Sequence, residues 1–406
     1  MSIDIKKITG HESKIEKKTF FFTPFSPLFI GSGQKFIKGL DFVSQNNKTY
    51  QLDLTKLFRD RIEDLDKLES AIKNANIPNY TSENGIKISQ YVKQSWYGDS
   101  KSNELLEPVS DGFGIPIIPG SSFKGSMRTA LFASFLKEKK LDEGEYRNLI
   151  TKRDGKSLPV KWASQSLQKE LLTTYHQSKK GSSPNYDIGR AFRISDIKFN
   201  AENLEVFNVA VLNETNNGFQ WSVMGGKDKN VDQLSFATKI SLAGISFDEE
   251  ITKPQKFDIS INRSVLEAIE WRKPFDFKII ADSCNQLSKK ILVMDLSYLD
   301  DAKNNFSELS VVIDDLEEIL ETVEECMIEN EKGKKLSWIQ RIGWGSGWLT
   351  MTGAHTHDDY IDIVKKAYPK LFKRTGPFEF PKTRKIVLDR AGKPATTMGW
   401  VLIEEQ

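Results

Sequence analysis

The chain is poor in the side chains that usually carry metals and nucleophilic chemistry, with two cysteines and four histidines in 406 residues. Cys284 and Cys326 form no CxxC pattern, so neither a disulfide framework nor a zinc knuckle is supported, and a reducing compartment is the expectation. Long apolar runs are missing too. No segment approaches the ~18 residues of a membrane span, and the opening MSIDIKKITGHESK lacks the apolar core of a signal peptide. The expectation is a cytoplasmic protein with no membrane contact. Charge of one sign is also not in excess: 58 basic against 56 acidic residues leave a net +2, so any nucleic-acid site must be a local patch. The familiar phosphate loops are absent, because GSSFKGSMR lacks the Gly-Lys-Ser/Thr of a P-loop and no GxGxxG follows a strand.

What remains is the composition of a globular protein long enough for two domains, with a mixed α+β pattern. KKTFFFTPFSPLFIGSG (17–33) reads as an aromatic strand, bent at Pro24 and Pro27 and ended by Gly31 and Gly33. DRIEDLDKLESAIKN (60–74) reads as a charged helix with Ile62, Leu65, Leu68 and Ile72 on one face. KKGSSPNYDIG marks a loop, read as an insertion. Strands at 191–199, 204–212 and 236–247 are expected to pair antiparallel, with GGKDKN as a turn. The last third carries helices near 276–302, 310–328 and 358–373 and strands near 384–389 and 397–404. No repeat of 20–50 residues is visible.

Two stretches carry chemistry. In IPGSSFKGSMRTALF (118–132), Pro119 and Gly120 break an apolar run and Ser121 or Ser122 is the natural N-cap; Phe123, Met127, Ala130, Leu131 and Phe135 then recur at helical spacing. On the other side Lys124 and Arg128 stand one turn apart near the positive end of the helix, where cations are disfavoured and an anion would relieve them. Gly125 between them leaves room for close backbone approach. In SWIQRIGWGSGWLTMTG (337–353), Gly343, Gly345, Gly347 and Gly353 alternate with Trp344 and Trp348 behind Arg341. Arginine on phosphate, indoles stacked on bases at ~1–3 kcal/mol each and a permissive backbone are the parts of a single-strand RNA clamp. The spacing fits equally a glycine turn whose tryptophans lie in the core.

Together these stretches resemble the RAMP superfamily of CRISPR systems. IPGSSFKGSMRTAL is similar to the family's helix-opening segment and RIGWGSGWLTMTG to its glycine-rich loop; AFRISDIKF resembles the strand with an R-x-S-D element, here Arg193, Ser195 and Asp196. The TPFSPLFIGSG start, with Gly31 and Gly33, and the TRKIVL…GKPATTMGW ending are most like the fifth, capping subunits of type III-A Csm effector complexes. The resemblance implies two ferredoxin-like, RNA-recognition-motif-type RAMP domains. The first would span 1–235, with insertions near 44–110 and 140–188, and the second 236–406, both motifs facing a shared cleft. It also implies a non-catalytic subunit, without cofactor, that caps the 3′ part of the CRISPR guide RNA beside the backbone RAMP subunit and other Csm subunits. Such a subunit would support guide maturation and antiviral defence by attracting host nucleases. Expected RNA contacts are Gly31, Gly33, Gly120, Ser121, Ser122, Lys124, Gly125, Arg128, Arg193, Arg341, Gly343, Trp344, Gly345, Gly347 and Trp348.

The rival readings are enzymatic or structural. His355 and His357, in GAHTHDDY beyond the glycine loop, could activate a 2′-OH in a metal-independent endonuclease. Asp41, in KFIKGLDFV after the first strand, is placed like the cleaving aspartate of backbone subunits, or simply caps a turn. A protein that only touches other subunits would pair Lys124 and Arg128 with acidic side chains. A peripheral subunit of a Cmr-type complex would carry similar motifs.

Overall fold

Alternation in the first apolar stretch organises the architecture. In Ile15–Pro24 (β1) Phe20, Phe22 and Pro24 are buried and Phe21 and Thr23 between them are only half-buried, the period-two pattern of a strand with one face on a core. The structure is a computed structural model; it describes residues 14–153, 156–157, 165–174, 184–215, 218–222, 240–351, 360–369 and 381–406. Phe192–Ile194 (β2), Gln255–Asn262 (β3), Ser337–Arg341 (β4) and Trp400–Glu405 (β5) join β1 in one antiparallel sheet, in the order β2-β3-β1-β5-β4.

This pairing runs across the expected boundary at residue 235. Strand β1 hydrogen-bonds on one side to β3 and on the other to β5, so a strand from the first part of the chain is held between two from the second. The second sheet is mixed in the same way. Its longest strand, Leu204–Thr215, pairs with Ile240–Ile245 along one half and with Thr383–Leu388 along the other. The expected antiparallel pairing of 204–212 with 236–247 is present over the described residues, whereas β2 pairs with β3 instead. The GGKDKN turn, His355 and His357 lie outside the described residues, as do 154–155, 158–164 and 175–183 within the 140–188 segment.

Three helices cover the first sheet and its neighbours: Gly120–Lys139 (α1), Phe277–Lys303 (α2) and Ser310–Lys332 (α3). Aromatic rings join α1 and α2 to the sheet. Phe20 meets Phe277 of α2 at 6.2 Å, tilted, and Phe22 meets Phe123 of α1 edge-on at 5.6 Å. Each ring fully buried is worth ~1.5–3 kcal/mol, and each edge-to-face pair adds ~0.5–1.5 kcal/mol. Helix α2 opens on Asp276, whose carboxylate accepts from the Ile279 N–H at 2.8 Å, and α3 closes on Gly333 in the left-handed region at φ +70°.

The 44–110 segment is more than a polar insertion. Phe42–Gln45, Lys48–Leu52 and Val92–Tyr97 extend the second sheet, and short helices enclose a separate core of Leu57, Leu68, Ile77 and Tyr80. The helix expected at 60–74 is broken: Leu54–Asp60 and Leu65–Lys73 flank a single 3-10 turn at Ile62–Asp64. Leu68 is buried, yet Ile62 and Leu65 are 65% and 47% exposed, so the apolar face spans only part of the expected stripe. Among the described residues no helix is long and apolar enough to cross a membrane.

Candidate nucleic-acid interface

Helix α1 begins two to three residues earlier than the capping serines predicted. Pro119 occupies the N-cap position without a side-chain cap, and Ser121 and Ser122 lie exposed in the first turn. The first N–H of the helix is instead satisfied from another strand: Gly120 donates to Asp196 Oδ1 at 2.7 Å. A Cβ on Gly120 would stand 2.2 Å from the Ile194 carbonyl oxygen, so the missing side chain lets the helix end press against the loop that carries Asp196. This gives the Arg193-Ser195-Asp196 element a structural task. Ser195 Oγ accepts from the Asp258 N–H at 3.0 Å, fixing the loop to β3.

Around the helix start Lys124, Arg128 and Arg193 lie near two carboxylates, Asp187 and the Asp196 that caps Gly120. Arg128 is committed to the first, with Nη2 2.6 Å from Asp187 Oδ2. That correction leaves Lys124 and Arg193 as the cations open to a ligand. Lys124 Nζ lies 5.1 Å over the Phe192 ring and its ammonium is pushed below the usual lysine range, first by burial and then by Arg193 and Arg128, against the pull of Asp187. Arg193 is exposed on β2 and has no ion-pair partner among the described residues. Gly125 is exposed, and a Cβ built there meets nothing within 4 Å.

The second motif follows β4, and the two motifs adjoin: Ser126 Oγ of α1 bonds Gln340 Nε2, one residue before Arg341. Arg341 itself is not the free phosphate ligand that the sequence suggested. Its side chain is 3% exposed, donates to Asp295 Oδ2 at 2.7 Å and to the Met398 carbonyl at 2.8 Å, and lies over the Trp400 ring. Burial pushes its guanidinium below the usual range, with Asp295 opposing. Arg384, at the start of the second-sheet strand, holds the other oxygen of Asp295. The triad thus ties β4 of one sheet to Thr383–Leu388 of the other.

Gly343, Gly345 and Gly347 all adopt positive φ, at +81°, +93° and +82°. The first two face protein: a Cβ on Gly343 would meet the Phe29 carbonyl oxygen at 2.5 Å and one on Gly345 the Met398 sulfur at 2.8 Å. Only Gly347 of this run faces open space. Trp344 packs edge-on against Phe29 at 6.3 Å with Lys385 Nζ 4.8 Å over its ring, and both Trp344 and Trp348 are half-buried. The tryptophans therefore belong partly to the core and partly to the surface. Beneath the loop is a cavity of about 120 Å³ lined by Arg341, Gly345, Gly347, Trp348, Arg384 and Lys385, with Asp295 at its wall.

At the chain start, Gly31 opens a strand against the Phe29 ring, and Gly33, at φ +91°, has no neighbour within 4 Å of a built Cβ. Asp41 accepts from the Ile37 N–H at 2.7 Å, which closes a turn. Among the described residues no group of three or more His, Cys, Asp or Glu could hold a metal. Asp187, Asp295, Arg384 and Lys385 were not singled out in the sequence; the adjacent Arg384-Lys385 pair ahead of the apolar IVL run was the available signal.

The sequence pattern of the RAMP superfamily matches residues 21–347. The chain belongs to the RAMP superfamily. Within it, the CRISPR system Cms protein Csm5 of Streptococcus thermophilus is 29% identical over 126 residues, a match spanning 26% of this chain and 35% of that protein. A chain from the cryo-EM structure of a Csm-crRNA-target RNA ternary complex of a type III-A CRISPR-Cas system shares the fold at a TM-score of 0.63 and 18% identity, covering 96% of this RAMP chain and all of the other. The crystal structure of T. onnurineus Csm5 aligns at a TM-score of 0.53 and 19% identity over 95% of this chain and 99% of that one.

Proposed function

We propose that this chain is a guide-RNA-binding subunit of a type III-A Csm effector complex that holds the 3′ part of the guide at one end of the assembly without cutting it. The observation that carries the reading is the cluster at the start of α1. Lys124 and Arg193 lie beside an arginine already spent on Asp187, next to a helix face that Gly125 leaves bare. Lys124 and Arg193 beside an open backbone suit a phosphate chain, and single-stranded RNA needs neither a metal nor an acid/base pair to be held this way. The likeness to Csm5 and to a chain of a Csm–RNA complex supports the choice of partner class: guide RNA, a backbone RAMP subunit and other Csm subunits. Recruitment of host nucleases for guide trimming belongs to the same reading. The β1-α1-β2-β3 path, with β3 between β1 and β2, supports reading the first sheet as a ferredoxin-like unit whose fourth position is taken by β5.

The test is guide retention by the reconstituted complex against salt. Changing Lys124 and Arg193 to alanine together should flatten log K against log salt by about 1.4, since each single-strand phosphate contact contributes a slope of ~0.7. A slope equal to wild type would assign these cations to protein contacts. Purified wild-type protein should leave single-stranded RNA intact with or without a divalent metal. Cleavage abolished by Asp41→Ala or by His355→Ala would reverse the non-catalytic part of the reading.

A further inference from the structure

The cavity beneath the glycine loop holds charge that its walls do not neutralise. Arg341, Arg384 and Lys385 line it, and among its described lining residues Asp295 is the single carboxylate, so three cations against one anion leave an excess of two. Asp295 already gives one oxygen to each arginine. Arg341 spends Nε on the Met398 carbonyl, and Arg384 spends Nη1 on the carbonyls of Pro381 and Thr383. Among the described residues, Nη2 of either guanidinium has no hydrogen-bond partner. Lys385 has no carboxylate partner there either; its ammonium lies over Trp344 and is pushed below the usual lysine range by burial and then by Arg341. Like charges crowded in a largely buried pocket are costly unless an anion joins them.

We propose that this cavity binds a terminal phosphomonoester at the end of an RNA strand, an inference that rests on the RNA-binding reading above. The charge count decides for an end over an internal link. A phosphodiester brings one negative charge and must leave the pocket in two directions, whereas a phosphomonoester at neutral pH brings about −1.5 to −2 and is tethered on one side only. It offers three free oxygens to two guanidinium edges and an ammonium, the geometry in which arginine forks are strongest. Gly347 faces open space at the cavity's lip, so the strand can leave past it, and Trp348 stands beside it as a surface for the terminal base.

The experiment uses the full chain and one single-stranded RNA sequence in three forms: 3′-phosphate, 5′-phosphate, and hydroxyl at both ends. Binding is read by fluorescence anisotropy at pH 7.5, with inorganic phosphate as a competitor. At least one phosphate-ended form should bind about fivefold tighter or better than the hydroxyl form. The preference should shrink at pH 5.5, where the second phosphate ionisation near pH 6 is reversed, and fall below twofold in Lys385→Met, which keeps an apolar stem over Trp344. Equal binding of the three RNAs overturns the inference and leaves the RNA reading standing; failure of all three to bind overturns both. A preference that survives Lys385→Met overturns the assignment to this cavity. Inorganic phosphate that competes as well, mole for mole, as the phosphate-ended RNA would mean a site for the free ion and overturns the assignment to an RNA end.

Discussion

Replacing Asp295 by alanine is the most direct measure of what holds the two sheets together. The carboxylate is 1% exposed and sits between Arg341 and Arg384, whose side chains are 3% and 8% exposed. Its loss leaves two nearly buried guanidiniums beside one small cavity with no counter-charge. Removing one partner of a buried pair typically costs ~3–5 kcal/mol, and because both arginines also line the cavity beneath the glycine loop, the lower part of that range is expected. In urea unfolding followed by tryptophan fluorescence, with an m-value of about 3 kcal/mol/M, the midpoint should fall by about 1–2 M. Salt should restore little of this, since buried charges are poorly screened. A loss below ~1 kcal/mol, the size of an exposed pair, or one that vanishes in 1 M salt, would refute the reasoning and mean that water reaches the triad freely.

Two further outcomes test single residues. Gly125→Ala should stabilise the free protein by ~0.8–1 kcal/mol, the helix-interior preference for alanine, because the new methyl meets nothing within 4 Å; if guide retention falls at the same time, the bare face serves the ligand. Asp315 on α3 accepts from Thr396 Oγ1 at 2.6 Å, yet burial raises its carboxyl to about 6. A raised acid favours the protonated folded state, so its contribution is full below the unfolded value near 4 and is lost as the pH rises through about 6. Asp315→Asn should therefore raise stability at pH 8 by about 2–3 kcal/mol, with no gain at pH 3.5; an equal gain at both pH values would contradict the titration.

Local patterns in the sequence were reliable where one element carried the signal. The apolar spacing of α1, from Phe123 to Phe135, emerges as a buried stripe, and the strand at β1 alternates as its phenylalanines promised. Signals that depend on a partner far along the chain were not legible. Ser121 and Ser122 are the residue types of an N-cap, but the acceptor is Asp196, 76 residues away, and only the close approach of Gly120 to the Ile194 carbonyl makes that possible. Gln255–Asn262 alternates Phe257, Ile259 and Ile261 as clearly as any strand, yet it was not among the strands expected from the sequence. Three glycines spaced in RIGWGSG look alike in sequence; two of them turn out to press against Phe29 and Met398, and one is open.

Arg341 shows why residue type alone could not locate the phosphate ligands. An arginine ahead of a glycine run has the right chemistry, but its position at the end of an inner-facing strand residue pattern, Trp338 to Arg341 all buried, commits it to the interior. Its charge is then partly answered by Asp295, and the surplus passes to Arg384 and Lys385 at the cavity. The near-neutral total conceals this, because α3 alone carries nine carboxylates against one lysine. Net charge sums over the whole surface, whereas a phosphate responds mainly to charges within a Debye length of about 8 Å. At the start of α1 that local sum is three cations to two carboxylates, Asp187 and Asp196, and near Asp295 it is three to one, so both motifs can attract a phosphate in a protein whose overall field is close to none.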